Sequence, residues 1–173
     1  MPTGPISDSG ELRLFVALWP GARVRAAIEH RRAGWTWPPG TTPVAPARLH
    51  LTLHFIGAFP AARLPALQQA LRLPCPRFEL GFGAGEVWRG GIAVLRPRTV
   101  PAAIAALHAE VGDALRGIGL GVETRAFRPH VTLARHADGA RPPADELSVD
   151  WPVRGFVLVA SRAGAYQRLA LPR

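Results

Sequence analysis

The stretch His50-Leu51-Thr52-Leu53-His54-Phe55-Ile56-Gly57, HLTLHFIG, places a histidine, a threonine and a second histidine at alternate positions. Strict alternation is the pattern of a half-buried strand, whose successive side chains point to opposite faces. Leu51, Leu53 and Phe55 then turn towards a core, while His50, Thr52 and His54 share the other face. The pattern returns as HVTL at residues 130–133, so His130 and Thr132 share a face in the same way. A single histidine and threonine two apart mean little, because six histidines and eight threonines in 173 residues give roughly 0.3 such matches by chance. Two matches, each followed by leucine and each on a segment that reads as a strand, mean considerably more.

The surrounding chain explains why the pattern occurs twice. RLFVALW (13–19) reads as a strand, ARVRAAIEHRR (22–32) as a helix, and the first motif follows. GIAVLRP (91–97) reads as a strand, residues 101–119 as the clearest helix of the chain, and the second motif follows. That helix has Pro101 at its start and an apolar stripe of Ile104, Leu107, Val111 and Leu115. His50 lies 34 residues after Val16 and His130 lies 36 after Val94, a near-equal spacing that marks an internal repeat. The expectation is a duplicated α+β protein of two similar lobes. Further elements are a helix over Ala62–Leu73 and strands over 78–88, 153–161 and 165–172, with loops at 35–46 and 137–146. Residues 1–11 read as a flexible tail, and residues 12–173 as one bilobal domain.

Composition narrows the function. Hydrophobic residues make up 48% of the chain, which is globular. A single cysteine, Cys75, rules out an internal disulfide and a site of several thiolates. Neither a signal sequence nor an apolar run of membrane-spanning length is visible, so the expectation is a soluble, cytoplasmic protein with no membrane partner. The net charge is +9, and every basic residue is arginine. Coding bias accounts for the missing lysines but not for 12 acids against 21 bases, which suits a phosphate-bearing partner.

If the two lobes are related by a pseudo-two-fold axis, both polar strand faces line one cleft, with two imidazoles and two hydroxyls around a shared centre. That set suits the opening of a cyclic phosphodiester. One histidine takes a proton from water and the other protonates the leaving oxygen. Threonine hydroxyls, helped by nearby arginine, can hydrogen-bond the non-bridging phosphate oxygens. No metal is required. His30 and His108 fall on helices and read as chemically silent.

The motifs, together with the opening RLFVALWP, the segment FRPHVTLAR (127–135) and the closing FVLVASRAGAYQRLALP, resemble the RNA 2′,3′-cyclic phosphodiesterases of the 2H phosphoesterase superfamily. The resemblance runs from Arg13 to about Leu171. It implies a bilobal α+β fold, with two mostly antiparallel sheets facing a central groove, helices outside, and no cofactor. It implies metal-independent hydrolysis of an RNA 2′,3′-cyclic phosphate to a 2′-phosphomonoester. By position, His50 would donate a proton to the departing 3′ oxygen and His130 would activate water. Thr52 and Thr132 would hold phosphate oxygens, and Arg135 matches an arginine that can contact phosphate. Strand parity turns Arg135 away from the cleft, so that role needs a bulge, a strand end or a long reach. Phe55 has core packing as its first reading and base stacking as its second. His54 is either a substrate contact or a solvated side chain.

Three other readings compete. In a metal hydrolase, His50, His54, His130 and His136 would converge on a zinc ion, although neither motif has an acid beside it to complete the shell. A non-catalytic RNA-binding module would use the arginine surface, although aromatic residues are not interleaved with it. A 2′–5′ RNA ligase would run the same chemistry backwards. A groove formed within one chain makes a monomer the expectation.

Overall fold

The computed structural model describes residues 10–145 and 147–172. Most of the tail read at residues 1–11, namely residues 1–9, lies outside these, as does Glu146 of the polar loop. Glu11 already belongs to a strand.

The chain runs β1 (Glu11–Leu18), α1 (Ala22–Ala33), β2 (Thr42–Pro43), β3 (Leu51–Pro60), α2 (Leu64–Ala70), β4 (Phe78–Trp88), β5 (Ile92–Pro97), α3 (Ala102–Gly117), β6 (Val131–Arg135), β7 (Val149–Val153), β8 (Val157–Arg162) and β9 (Ala165–Leu169). The strands follow the order β7-β4-β5-β6-β3-β1-β8-β9, every pair antiparallel, with β2 beside β6. The duplicated α+β plan is visible in that order. From the middle outwards, β3-β1-β8-β9 and β6-β5-β4-β7 are two four-stranded halves, each with an HxT strand innermost.

The halves meet at one assigned residue pair, Leu51 opposite Val131. These are the central residues of the two HxT motifs. Continuing that antiparallel register puts His50 across from Thr132 and Thr52 across from His130. The two histidines occupy diagonal positions, a relation that corresponds to roughly 7–8 Å between strands.

One face of the sheet packs on the helices. Leu14, Val16 and Leu18 of β1 join Ile28 of α1 and Ile104, Leu107, Val111 and Leu115 of α3 in a single core. Each fully buried Leu or Ile there contributes roughly 1.5–3 kcal/mol. The opposite face of β1 presents Phe15 and Ala17, which with Val159, Trp19, Val157 and Tyr166 form a smaller cluster on the cleft side.

Each HxT strand carries a bulge at the same place. On β3, Ala17 faces Thr52 but Val16 faces His54, leaving Leu53 as an extra residue. On β6, Val94 faces Thr132 but Ala93 faces Ala134, leaving Leu133 as an extra residue. An extra residue reverses which face every later side chain occupies. A second irregularity on β3, at Ile56 and Gly57 (φ 78°), returns Phe59 to the core.

Two elements differ from the sequence expectation. The second helix begins with a 3-10 turn at Ala61–Arg63 and is α-helical only over Leu64–Ala70, because Pro65 must lie in its first turn. The strand read over 153–161 is two strands, β7 and β8, separated at residues 154–156. Pro152 concealed β7, but β7 is a sheet edge, where a missing amide hydrogen is tolerated.

Candidate active site

His50 and His130 each stand one residue before the strand bearing their threonine, at the seam between the halves. Their backbone settings match. His50 Nδ1 lies 2.6 Å from the carbonyl oxygen of Arg48, and His130 Nδ1 lies 2.7 Å from that of Arg128. A carbonyl only accepts, so each Nδ1 carries the hydrogen and each Nε2 is free for chemistry. His50 Nε2 lies 3.1 Å from Thr52 Oγ1, which donates to it while the ring is neutral.

Aromatic rings fix both imidazoles. Trp19 stacks on His50 at 5.3 Å between centroids and 6° between planes, and Tyr166 meets it edge-on at 5.5 Å. The Arg48 guanidinium lies over the Tyr166 ring, 4.6 Å from its centroid, and donates to the phenol oxygen at 3.2 Å. In the other lobe Trp88 lies 4.4 Å from His130, and the Arg128 guanidinium sits 4.4 Å over the indole. Glu86 holds this side together, accepting from Trp88 Nε1 at 2.7 Å and from Arg96 at 2.6 Å, with Arg128 at 3.7 Å. The Trp88 hydrogen bond is the main cause keeping the Glu86 carboxyl below its usual range, and Arg96 and Arg128 add to it.

Both imidazoles titrate below 6.5. For His50 burial is the first cause, opposed by the bond to the Arg48 carbonyl and reinforced by the charges of Arg48 and His130. For His130 burial again leads, opposed by the Arg128 carbonyl and reinforced by the Arg128 and Arg96 guanidinia. Burial thus favours the neutral form of both rings, the form a general base needs, while the backbone carbonyls behind them favour the charged form an acid needs.

The bulges decide the remaining residues. Beyond Leu133 the facing pattern inverts, so Ala134 is buried and Arg135 is exposed and lines a cavity of about 360 Å³ with His50, His130, Thr52 and Thr132. The bulge thus turns Arg135 to the cleft side, against the strand parity expected from the sequence. Phe55, the equivalent position on β3, is not a core residue. It is 64% exposed and stands on the cleft rim beside Trp88. His54, the equivalent of Ala134, does not share the His50 face. It is 5% exposed, with Nε2 2.8 Å from the His108 carbonyl oxygen on α3 and its ring stacked on His108 at 4.1 Å. Burial and the neighbouring charges of His54 and Arg116 hold the His108 imidazole down at about 4. The four imidazoles of the metal-hydrolase reading do not converge, because His54 turns to α3 and His136 turns to Thr42, 3.3 Å from its hydroxyl.

The sequence reading missed Arg48, Arg128, Trp19, Trp88 and Glu86. The arginines were visible as a third element of the repeat, Arg48-x-His50-x-Thr52 and Arg128-x-His130-x-Thr132. Trp19 follows the end of β1, and Glu86 and Trp88 lie on β4; all are distant in sequence from the motifs, where no local pattern marks them.

Two HxT strands meeting across one cleft, each with its histidine tautomer fixed from behind, are the arrangement expected of a 2H phosphoesterase. The family model described as the 2′-5′ RNA ligase superfamily matches residues 20–164. The chain is 35% identical to a Thermus thermophilus protein named RNA 2′,3′-cyclic phosphodiesterase, over 87% of this chain and 82% of that one. It is 34% identical to the Escherichia coli protein of the same name, over 86% of each. Its fold superposes on the crystal structure of E. coli LigT complexed with 3′-AMP with a TM-score of 0.82, at 32% identity, covering 92% of this chain and 96% of that one. The chain belongs to the 2′-5′ RNA ligase superfamily, and its two HxT motifs make it a 2H phosphoesterase.

Proposed function

We propose that this protein hydrolyses RNA 2′,3′-cyclic phosphate ends to 2′-phosphomonoesters, using His50 and His130 as general acid and base and no metal. The observation that carries this reading is the seam pairing of Leu51 with Val131, together with one cavity lined by both motif histidines and both motif threonines. The names of the Thermus and E. coli relatives support the substrate class, and the LigT complex with 3′-AMP supports a nucleotide in the cleft.

Water bound at His130 Nε2 gives up a proton as its oxygen attacks phosphorus. The P–O3′ bond breaks, and the 3′ oxygen takes the proton held on His50 Nε2. The products are a 2′-phosphate and a 3′-hydroxyl, and the two histidines regain their starting forms through solvent. Thr52, Thr132 and Arg135 hold the non-bridging oxygens, where negative charge grows. Phe55 offers a face on which the terminal base stacks. With a 5′-hydroxyl in place of the attacking water, the same opening of the cyclic phosphate, P–O3′ broken and the 3′ oxygen protonated by His50, would join two RNA ends through a 2′–5′ linkage, the ligase activity after which the superfamily is named. The cleft is complete within one chain, which supports a monomer, and the lone Cys75 suits the reducing cytoplasm. No helix among the described residues is long and apolar enough to cross a membrane.

The test is turnover of a short RNA ending in a 2′,3′-cyclic phosphate, with and without EDTA. Hydrolysis unaffected by the chelator is the expected result. Hydrolysis abolished by EDTA and restored by a divalent metal would overturn the two-histidine mechanism.

A further inference from the structure

A cavity of about 690 Å³ lies outside the catalytic cleft and has a wall of three exposed arginines, Arg23, Arg154 and Arg168. Strand parity joins it to the cleft. Arg168 stands two residues after Tyr166 on β9, opposite Val159, so both side chains lie on the cleft face, roughly 6.6 Å apart along the strand. Trp19, whose ring stacks on His50, also lines the cavity, as does Val157 of the cleft-side cluster. Trp19 is thus common to the two sites, stacked on the catalytic imidazole and lining the arginine-bearing cavity. Glu79 and Asp150, on the paired strands β4 and β7, line the same cavity.

We propose that this groove binds the RNA strand immediately upstream of the cyclic phosphate, which makes oligoribonucleotides, rather than free nucleoside cyclic phosphates, the preferred substrate class of the site described above. The arginine wall meets the phosphodiester oxygens, for which guanidinium geometry is suited. Trp19 supplies an apolar surface between the two sites. The carboxylates of Glu79 and Asp150 in the same groove accept hydrogen bonds from ribose hydroxyls and base amino groups, which suits a nucleotide better than a bare polyanion. The proposal rests on the cyclic-phosphate reading of the catalytic cleft, but its test does not depend on turnover.

The test is binding, read by fluorescence anisotropy, of a labelled five-nucleotide RNA with a 3′-phosphate, with the matching 3′-mononucleotide as competitor. The wild-type protein binds the pentamer at least tenfold more tightly. The Arg23→Gln, Arg154→Gln, Arg168→Gln triple variant loses most of that advantage. Its slope of log affinity against log salt falls by about 2, from three phosphate contacts at roughly 0.7 each on a single strand. Arg162→Gln, an exposed arginine of β8 that does not line the groove, serves as the control. A pentamer bound no better than the mononucleotide, or a triple variant with unchanged affinity and salt slope, overturns the proposal. Loss of hydrolysis with the arginine dependence intact would instead count against the catalytic reading alone.

Discussion

Replacing His54 with alanine tests the bulge at Leu53, because the bulge alone decides whether this imidazole faces the core or the substrate. In the structure the ring is 5% exposed, stacks on His108 and hydrogen-bonds the His108 carbonyl at 2.8 Å. Removing a buried side chain of this size costs about 2 kcal/mol or more, as large-to-small core changes do. The lost hydrogen bond adds roughly 1 kcal/mol. A total of about 3 kcal/mol corresponds to roughly 6–12 °C in Tm for a chain of this length. Turnover should stay within a few-fold of wild type. Phe55→Ala should show the opposite pattern, since its ring is 64% exposed. Its stability change is expected within about 0.5 kcal/mol, while kcat/KM for RNA falls through KM by the 1–3 kcal/mol typical of a lost stacking contact, roughly 5- to 150-fold. Thermal melts and steady-state kinetics on both variants check this. A His54 variant of normal stability and abolished turnover, or a Phe55 variant of normal kinetics and lowered Tm, would refute the inverted facing pattern.

Other expectations follow from the same geometry. His50→Ala and His130→Ala should each lower kcat by roughly two to four powers of ten with little change in Tm; near-normal activity in either removes that histidine from the mechanism. The profile of kcat/KM against pH should be a bell centred below pH 6.5, because both imidazoles titrate below that value. Its acid limb is a base gaining a proton and its alkaline limb an acid losing one, the two limbs belonging to the coupled pair. Arg48→Gln removes a charge that lowers His50 while keeping the backbone carbonyl, so the alkaline limb should move to higher pH. Gly91→Ala should cost at least about 2 kcal/mol in a denaturant titration, because its φ is 69° and a Cβ there would lie 2.5 Å from Asp138 Oδ2 and 3.0 Å from the Ala137 nitrogen.

Much of the architecture was legible in the sequence because its strands and helices obey their periods. The α3 stripe of Ile104, Leu107, Val111 and Leu115 is buried as its spacing requires. The repeat disclosed the pairing of His50 with His130, since two copies of one plan about an axis bring equivalent residues together. The misjudged facing directions have one physical origin, the placement of a single residue. A bulge adds a residue without any composition signal, so Leu53 and Leu133 inverted the faces of His54, Phe55 and Arg135 without warning. Pro152 lies on a sheet edge that only the complete strand order reveals. Trp19 and Trp88 reach their histidines across strand pairings, which periodicity along the chain cannot report.

If the acid in this site serves the 3′ oxygen, phosphorus NMR of the product from a cyclic-phosphate RNA reports it without ambiguity. A 2′-phosphomonoester alone, formed at the same rate in EDTA, is the expected product. A 3′-phosphomonoester, or a mixture of the two, would contradict the placement of His50 on the 3′ side of the ring.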